Sequence, residues 1–158
     1  MDIRLDNLES EEIANFLQQH IDDMRATSPP ESKHALDLQG LKVPEITFWS
    51  IYNADQLLGC AALKDLGAGQ GEIKSMRVLA AARGRGVGSK LLDHVVAEAK
   101  ARGYKGLWLE TGSMPFFEPA RNLYLKHGFT YCEPFGSYKE DPCSVFMTLN
   151  IDGSKVGL

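Results

Sequence analysis

The stretch from residue 78 to residue 92 constrains this chain more than any other. It reads Val-Leu-Ala-Ala-Ala-Arg-Gly-Arg-Gly-Val-Gly-Ser-Lys-Leu-Leu, which predicts a strand end, a glycine-rich turn and the start of a helix. Glycines at 84, 86 and 88 lack Cβ atoms, so the backbone can turn sharply and bring its N–H groups close to a bulky anion. The helix adds unpaired amides and a positive dipole end, while Arg83 and Arg85 add full charges. The pattern predicts a pyrophosphate-binding turn.

Two other phosphate-binding motifs fit this stretch poorly. The chain has no G-x-x-x-x-G-K-[ST] run, which argues against a P-loop nucleotidase. A dinucleotide-binding turn needs a third glycine where Ser89 stands, and an acidic residue about twenty residues later. Glu110, on the next predicted strand, lies later than that. The dinucleotide match is therefore only partial.

The spacing Arg83-x-x-Gly86-x-Gly88 resembles the signature Q/R-x-x-G-x-G/A of the GCN5-related N-acetyltransferases, the GNAT family. Residues 120–129, Ala-Arg-Asn-Leu-Tyr-Leu-Lys-His-Gly-Phe, resemble the second recurring run of that family, A-x-x-L-Y-x-x-x-G-F. Longer runs at 24–32, 110–114 and 140–147 are similar to a bacterial subgroup of the family. The resemblance covers nearly the whole chain, and it implies that the turn binds the pyrophosphate of acetyl-coenzyme A.

The resemblance also implies an α+β architecture. We expect a twisted, mostly antiparallel sheet of about six to seven strands with one splayed parallel pair, flanked by about four helices. Residues 1–151 would form a single N-acetyltransferase domain, and 152–158 a C-terminal tail. The residue pattern independently predicts strands and helices in an order that fits; their approximate ranges are strands 3–5, 48–52, 57–63, 72–78, 107–111, 129–132 and 144–149, and helices from 9 to 27, 32 to 41, 87 to 102 and 119 to 127.

Composition limits the partners of the chain. Its 158 residues carry a net charge of −4 with both signs interspersed, so no basic face for nucleic acid or an acidic membrane is expected. The start lacks a signal-peptide profile and no run is long enough to span a membrane, so we expect a cytoplasmic protein. Cys60 and Cys132 are interpreted as small core residues, and no cysteine or histidine spacing suggests a metal site. Oligomeric state stays open, a homodimer included.

The GNAT resemblance places the thioester arm between two splayed strands, along the backbone of Met76 to Val78. There the Val78 N–H would polarise the acetyl oxygen. The coenzyme-binding residues implied are Met76, Val78, Arg83, Gly84, Arg85, Gly86, Val87, Gly88, Ser89 and Asn122. Many relatives carry asparagine seven residues before the tyrosine of the second run, where this chain has Phe117. The pantetheine contact is therefore expected to be apolar or supplied by Asn122.

Two catalytic roles follow from the resemblance. Glu72 stands six residues before Val78, the offset of the general base in the histone-acetyltransferase branch, although it could instead be a solvent-facing residue at a strand start. Glu110 is the second candidate base. Tyr124 stands where the family has its general acid, a phenol that can protonate the departing thiolate, although an aromatic residue on a helix face can also be core packing.

The resemblance implies that the segment between the first two helices forms one wall of the acceptor site, and the residues expected to line the site are Arg25, Glu31, His34, Glu110 and, from the late loop, Tyr138 and Glu140. The remaining histidines are interpreted structurally: His20 and His127 as packed or capping residues, and His94 as an exposed pair with Glu98. The hypothesis is acetyl transfer to a small amine by direct attack in a ternary complex. The alternatives are a protein lysine or N-terminal amine acceptor, and a coenzyme A sensor without activity.

Overall fold

A computed structural model of the chain describes residues 1–27 and 38–151, and the fold is an α+β sheet flanked by helices. The strands are β1 Asp2–Leu5, β2 Ile46–Asn53, β3 Gln56–Gly67, β4 Gln70–Val78, β5 Gly106–Gly112, β6 Thr130–Cys132 and β7 Ser144–Asn150. The helices are α1 Glu11–Thr27, α2 Leu38–Leu41, α3 Val87–Ala101 and α4 Glu118–Lys126, with 3₁₀ turns at Ala80–Ala82 and Pro115–Phe117. The sheet order β1-β2-β3-β4-β5-β7-β6 and its single parallel pair, β4 with β5, confirm the expected architecture.

Local sequence explains most element boundaries. The Ser10 hydroxyl accepts a hydrogen bond from the Ile13 amide at 3.1 Å and caps α1, as predicted. The hairpin between β2 and β3 turns through two residues, with Ala54 at a φ of 53°. Gly103, at a φ of 78°, follows the last turn of α3, also as predicted. Of the short helix expected at 32–41, the structure describes only α2; its earlier part lies outside the described residues, as does the predicted tail at 152–158.

The helices cover the two faces of the sheet in pairs. Side chains alternate along β2 and β3, so Trp49 and Leu63 join the α3 and α4 side of the core while Phe48 and Ala62 join the α1 and α2 side. Cys60 lies fully buried on the second side, as predicted, whereas Cys132 is half-buried and the prediction of a core position was wrong for it. No helix in residues 1–27 or 38–151 has the length and apolar character needed to cross a bilayer.

The sheet opens where β4 and β5 separate. Their parallel pairing runs from Gln70 opposite Gly106 to Ile73 opposite Leu109 and then stops, although β4 continues to Val78. On the other side of β4, the register with β3 shifts between Cys60 and Ala62. Ser75, at a φ of 51°, marks the resulting β-bulge. The bulge and the splay leave a gap in the sheet that helices on both faces can reach.

Candidate active site

The three glycines of the turn serve two different purposes. Gly84 and Gly86 have φ angles of 81° and 78°, a left-handed conformation that costs other residues about 1–2 kcal/mol. Added Cβ atoms at these two positions would meet nothing within 4 Å, so space is not what selects glycine there. Gly88 has an ordinary conformation, but its Cβ would lie 3.0 Å from Cδ2 of Leu123. The first two glycines allow the turn, and the third lets α3 approach α4.

The turn forms one wall of a cavity of about 440 Å³, which we call the main groove. Eight of the ten predicted coenzyme-binding residues line it: Met76, Val78, Arg83, Gly84, Gly86, Val87, Gly88 and Ser89. Arg85 and Asn122 are exposed, and their side chains do not line the groove. Helix α3 begins at this wall. The main-chain amides of its first turn have no acceptors within the helix, so they can donate hydrogen bonds to an anion in the groove.

The opposite wall of the main groove is apolar. It is formed mainly by Phe117, Ala120 and Leu123 with their neighbours. The Phe117 ring lies so close to Gly112 that an added Cβ there would be 2.0 Å from Cδ2 of the ring. Glycine at 112 therefore makes room for the Phe117 ring in this wall.

A second, smaller cavity of about 100 Å³ adjoins the main groove; we call it the inner cavity. Five residues line both spaces, and they define the junction: His20, Met76, Phe117, Ala120 and Tyr124. Val78 lines the main groove alone, so Met76 is the β4 residue at the junction. Neither Ser75 nor Met76 has a registered partner on β3 or β5, and the Ser75 carbonyl oxygen accepts a hydrogen bond from the Cys60 thiol at 3.2 Å.

Tyr124 brings a phenol to the junction from α4. Its side chain is only 6% exposed and packs against Phe129, with ring centroids 5.7 Å apart. Burial and the nearby Glu110 carboxylate raise the pKa of Tyr124 above its usual value, so the hydroxyl keeps its proton. Core packing and a donor hydroxyl at a cavity are thus combined in one residue.

Glu72 is buried, at 4% exposure, so the solvent-facing alternative was wrong. Its Oε2 accepts hydrogen bonds from the Tyr138 hydroxyl at 2.7 Å and the Lys74 ammonium at 3.1 Å, and Lys74 also donates to the Tyr138 oxygen at 2.9 Å. We call these three residues the polar triad. Burial and the Glu72 carboxylate raise the pKa of Tyr138. Sequence reasoning missed Lys74, whose place two residues after Glu72 on the same face of β4 was the available signal.

The predicted acceptor residues divide into three groups. Glu110 and Tyr138 line the inner cavity together with Glu72. Glu140 lines a neighbouring outer cavity of about 520 Å³, which shares Glu72, Lys74 and Tyr138 with the inner one. The side chain of Arg25 and the whole of Glu31 and His34 lie outside the described residues.

The histidines differ from one another in role. His127 caps α4 as predicted, with Nδ1 3.0 Å from the Leu123 carbonyl oxygen. His94 does not pair with Glu98: it packs edge-on against Trp49 at 5.3 Å, while Glu98 pairs with Arg102 at 2.9 Å. The prediction for His94 was wrong because its helix face turns toward the sheet.

His20 is packed, as predicted, but at the junction. Sequence reasoning missed this location, although a polar residue on the core-facing stripe of α1 was a signal. Within the described part of the chain, no three histidine, cysteine, aspartate or glutamate side chains are grouped closely enough to hold a metal ion.

The fold, with its splayed parallel pair and its glycine-rich turn before α3, is the one that the motif resemblance predicts for an acetyltransferase. The sequence profile of the acetyltransferase (GNAT) family matches residues 13–129, so the chain belongs to that family and the resemblance drawn from its motifs is confirmed.

Relatives support the same assignment. The chain is 53% identical over 148 residues to the uncharacterized N-acetyltransferase YsnE of Bacillus subtilis (strain 168), covering 94% of this chain and 98% of that protein. It is 43% identical over 120 residues to an IAA acetyltransferase of Azospirillum brasilense, covering 75% and 77%. Among solved structures, an aminoglycoside 6′-N-acetyltransferase complexed with coenzyme A has a TM-score of 0.70 at 16% identity, covering 96% and 97%; this likeness shows the fold alone. The chain is an N-acetyltransferase.

Proposed function

We propose that the chain transfers the acetyl group of acetyl-coenzyme A to the amine of a small metabolite, by direct attack in a ternary complex. One observation carries the proposal. The buried Tyr124 stands where the main groove meets an inner cavity that is lined by two carboxylates, Glu72 and Glu110. A thioester arm entering from one side and an amine from the other would meet at this residue.

The residues present fit the donor. The turn at 83–89 offers backbone amides, the dipole end of α3 and the Arg83 charge to a pyrophosphate. The wall containing Phe117 and Leu123 offers apolar contact to the pantetheine arm. When bound, acetyl-coenzyme A supplies an electrophilic thioester carbonyl.

Main-chain groups at the β4 bulge would polarise that carbonyl. The sequence resemblance pointed to the Val78 N–H. Because Met76 is the β4 residue that lines both spaces, we assign the polarising N–H to Met76 instead.

Proton transfer requires a base and an acid. Either Glu72 or Glu110 can take the amine proton, directly or through water, since both line the inner cavity. Tyr124 then gives its proton to the thiolate, and its raised pKa means that the proton is present at every working pH. Within the described residues, no cysteine lines the main groove or the inner cavity, which favours direct attack over an acetyl-enzyme.

The size of the inner cavity favours a small acceptor. Its volume is about 100 Å³, and Tyr138, from the loop between β6 and β7, lines it and is held there by its hydrogen bond to Glu72. An extended peptide would need a continuous open groove. The outer cavity, at about 520 Å³, is where the remainder of a larger metabolite would fit.

Replacing Tyr124 by phenylalanine tests the proposal. With acetyl-coenzyme A and a panel of amines, thiol release should fall by about 100-fold or more while coenzyme binding persists, because only the acid is lost. Tyr131→Phe, on the exposed face of β6, is the matched control and should leave the rate unchanged. Absence of thiol release from the unmodified protein across amine and peptide panels, together with normal coenzyme binding, would instead identify a sensor.

A further inference from the structure

His20 reaches the junction from the side of the sheet opposite to Tyr124. α1 packs on one face of the sheet and α4 on the other, yet both residues line the main groove and the inner cavity. The splay between β4 and β5 makes this possible, because it opens the sheet at this point. The imidazole therefore borders the place where the reacting groups would meet.

Arg77 fixes the tautomer and the charge of the His20 imidazole. Its Nη1 lies 3.2 Å from His20 Nδ1, its Nη2 donates to Asp23 at 2.5 Å, and its guanidinium lies 5.7 Å from the Phe16 ring centroid. A guanidinium has donors only, so Nδ1 must accept and the ring proton must be on Nε2. Burial and the Arg77 charge lower the pKa of His20 to about 4, so the ring is neutral at physiological pH.

The other ring nitrogen, Nε2, meets no hydrogen-bond acceptor in the part of the chain that the structure describes. Within residues 1–27 and 38–151, Nε2 makes no hydrogen bond, and it is not among the sealed side-chain atoms that lack a partner. Among the described residues, the neutral ring beside the two cavities is therefore a donor in one tautomer with no acceptor, and a bound ligand can supply one.

We propose that the His20 Nε2–H binds the carbonyl oxygen of the acetyl group, as the side-chain partner of the Met76 N–H. This inference rests on the proposed function. As the amine nitrogen forms its bond to the carbonyl carbon, the π electron pair of the carbonyl moves onto oxygen, where both donors stabilise the charge. The C=O bond then re-forms and the C–S bond breaks, its electrons going to sulfur. Sulfur takes the Tyr124 proton and a carboxylate takes the amine proton, while His20 keeps its own.

Calorimetric titration of coenzyme A and acetyl-coenzyme A separates this role from packing. His20→Phe keeps an aromatic ring but removes the donor, so affinity for acetyl-coenzyme A should fall about two- to tenfold while affinity for coenzyme A stays within about twofold. The kcat should fall about 100-fold. His20→Gln, whose amide can donate from a similar position, should restore part of both losses. His127→Gln removes a histidine from the end of α4, outside both cavities. It should change neither the affinity for the two ligands nor the kcat.

Equal weakening of both ligands by His20→Phe, or an unchanged kcat, would overturn the inference. Nitrogen-15 NMR of the ligand-free protein gives a second readout: Nδ1 should be unprotonated and the ring should not titrate between about pH 5 and pH 8. A proton on Nδ1, or titration near the ordinary value, would also overturn it. If the unmodified protein bound neither ligand although the tautomer was as expected, the proposed function would fail and this inference with it.

Discussion

Replacing Lys74 by methionine would leave the Glu72 carboxylate buried without its cation. The Lys74 and Glu72 side chains are only 10% and 5% exposed, and their charged atoms lie 3.1 Å apart. Removing one partner of a buried ion pair costs about 3–5 kcal/mol. Because the Tyr138 hydroxyl still donates to the carboxylate at 2.7 Å, we expect a loss of about 3 kcal/mol in the free energy of unfolding.

Tyr138→Phe should cost less than Lys74→Met. The change removes one hydrogen bond to a charged group, about 1.5–3 kcal/mol, while Lys74 remains to neutralise Glu72. The ring keeps its contacts with Phe135 and Phe146, at centroid distances of 5.0 Å and 5.5 Å. The two changes share a partner, so the double variant should not show the sum of the two losses.

Urea denaturation at neutral pH measures these differences. Lys139→Met is the matched control: it removes an exposed lysine next to Tyr138 and should change the free energy of unfolding by no more than about 0.5 kcal/mol. If Lys74→Met unfolded within about 1 kcal/mol of the parent, or if the two losses simply added, the polar triad would not be a coupled buried network.

Three further outcomes follow from single residues. Gly86→Ala should lower the free energy of unfolding by about 1–2 kcal/mol, because φ is 78° there, and should weaken coenzyme A binding in calorimetry. If neither the stability nor the affinity changed, the left-handed turn would not be required. The raised pKa of Tyr124 makes the folded state hold a proton that the unfolded state loses near pH 10, so this residue should contribute about 1.4 kcal/mol per pH unit to the fall in stability above that pH, and Tyr124→Phe should reduce the slope by that amount; an equal slope in both proteins would count against burial of the phenol. Burial raises the pKa of the Cys60 thiol to about 12, so iodoacetamide should spare it in the folded protein and alkylate it after denaturation, as mass spectrometry of peptides would show; rapid labelling of the folded form would contradict its burial.

Features that depend on neighbouring residues in sequence could be predicted. The turn at 83–89 requires particular conformations at Gly84 and Gly86, so the residues that satisfy it are visible in the chain itself. Tyr124 was located by its spacing from Gly128 and Phe129, which follow the end of its helix. The order of strands and helices followed from periodicity and turn residues for the same reason.

Features that depend on distant residues could not be predicted. The burial of Glu72 is set by Tyr138, which lies 66 positions along the chain. The neutral state of His20 is set by Arg77, 57 positions away. Helical spacing placed His20 on the core-facing side of α1, but only the bulge at Ser75 and the end of strand pairing reveal that this part of the core opens into a cavity.

A crystal structure of the chain with bound acetyl-coenzyme A tests the central claim most directly. We expect the two phosphates of the diphosphate to accept hydrogen bonds from main-chain amides of residues 84–89, and the acetyl group to lie at the junction beside Tyr124. A diphosphate bound at any other surface, or an arm that does not lead to Tyr124, would contradict both the assigned donor site and the reaction built on it.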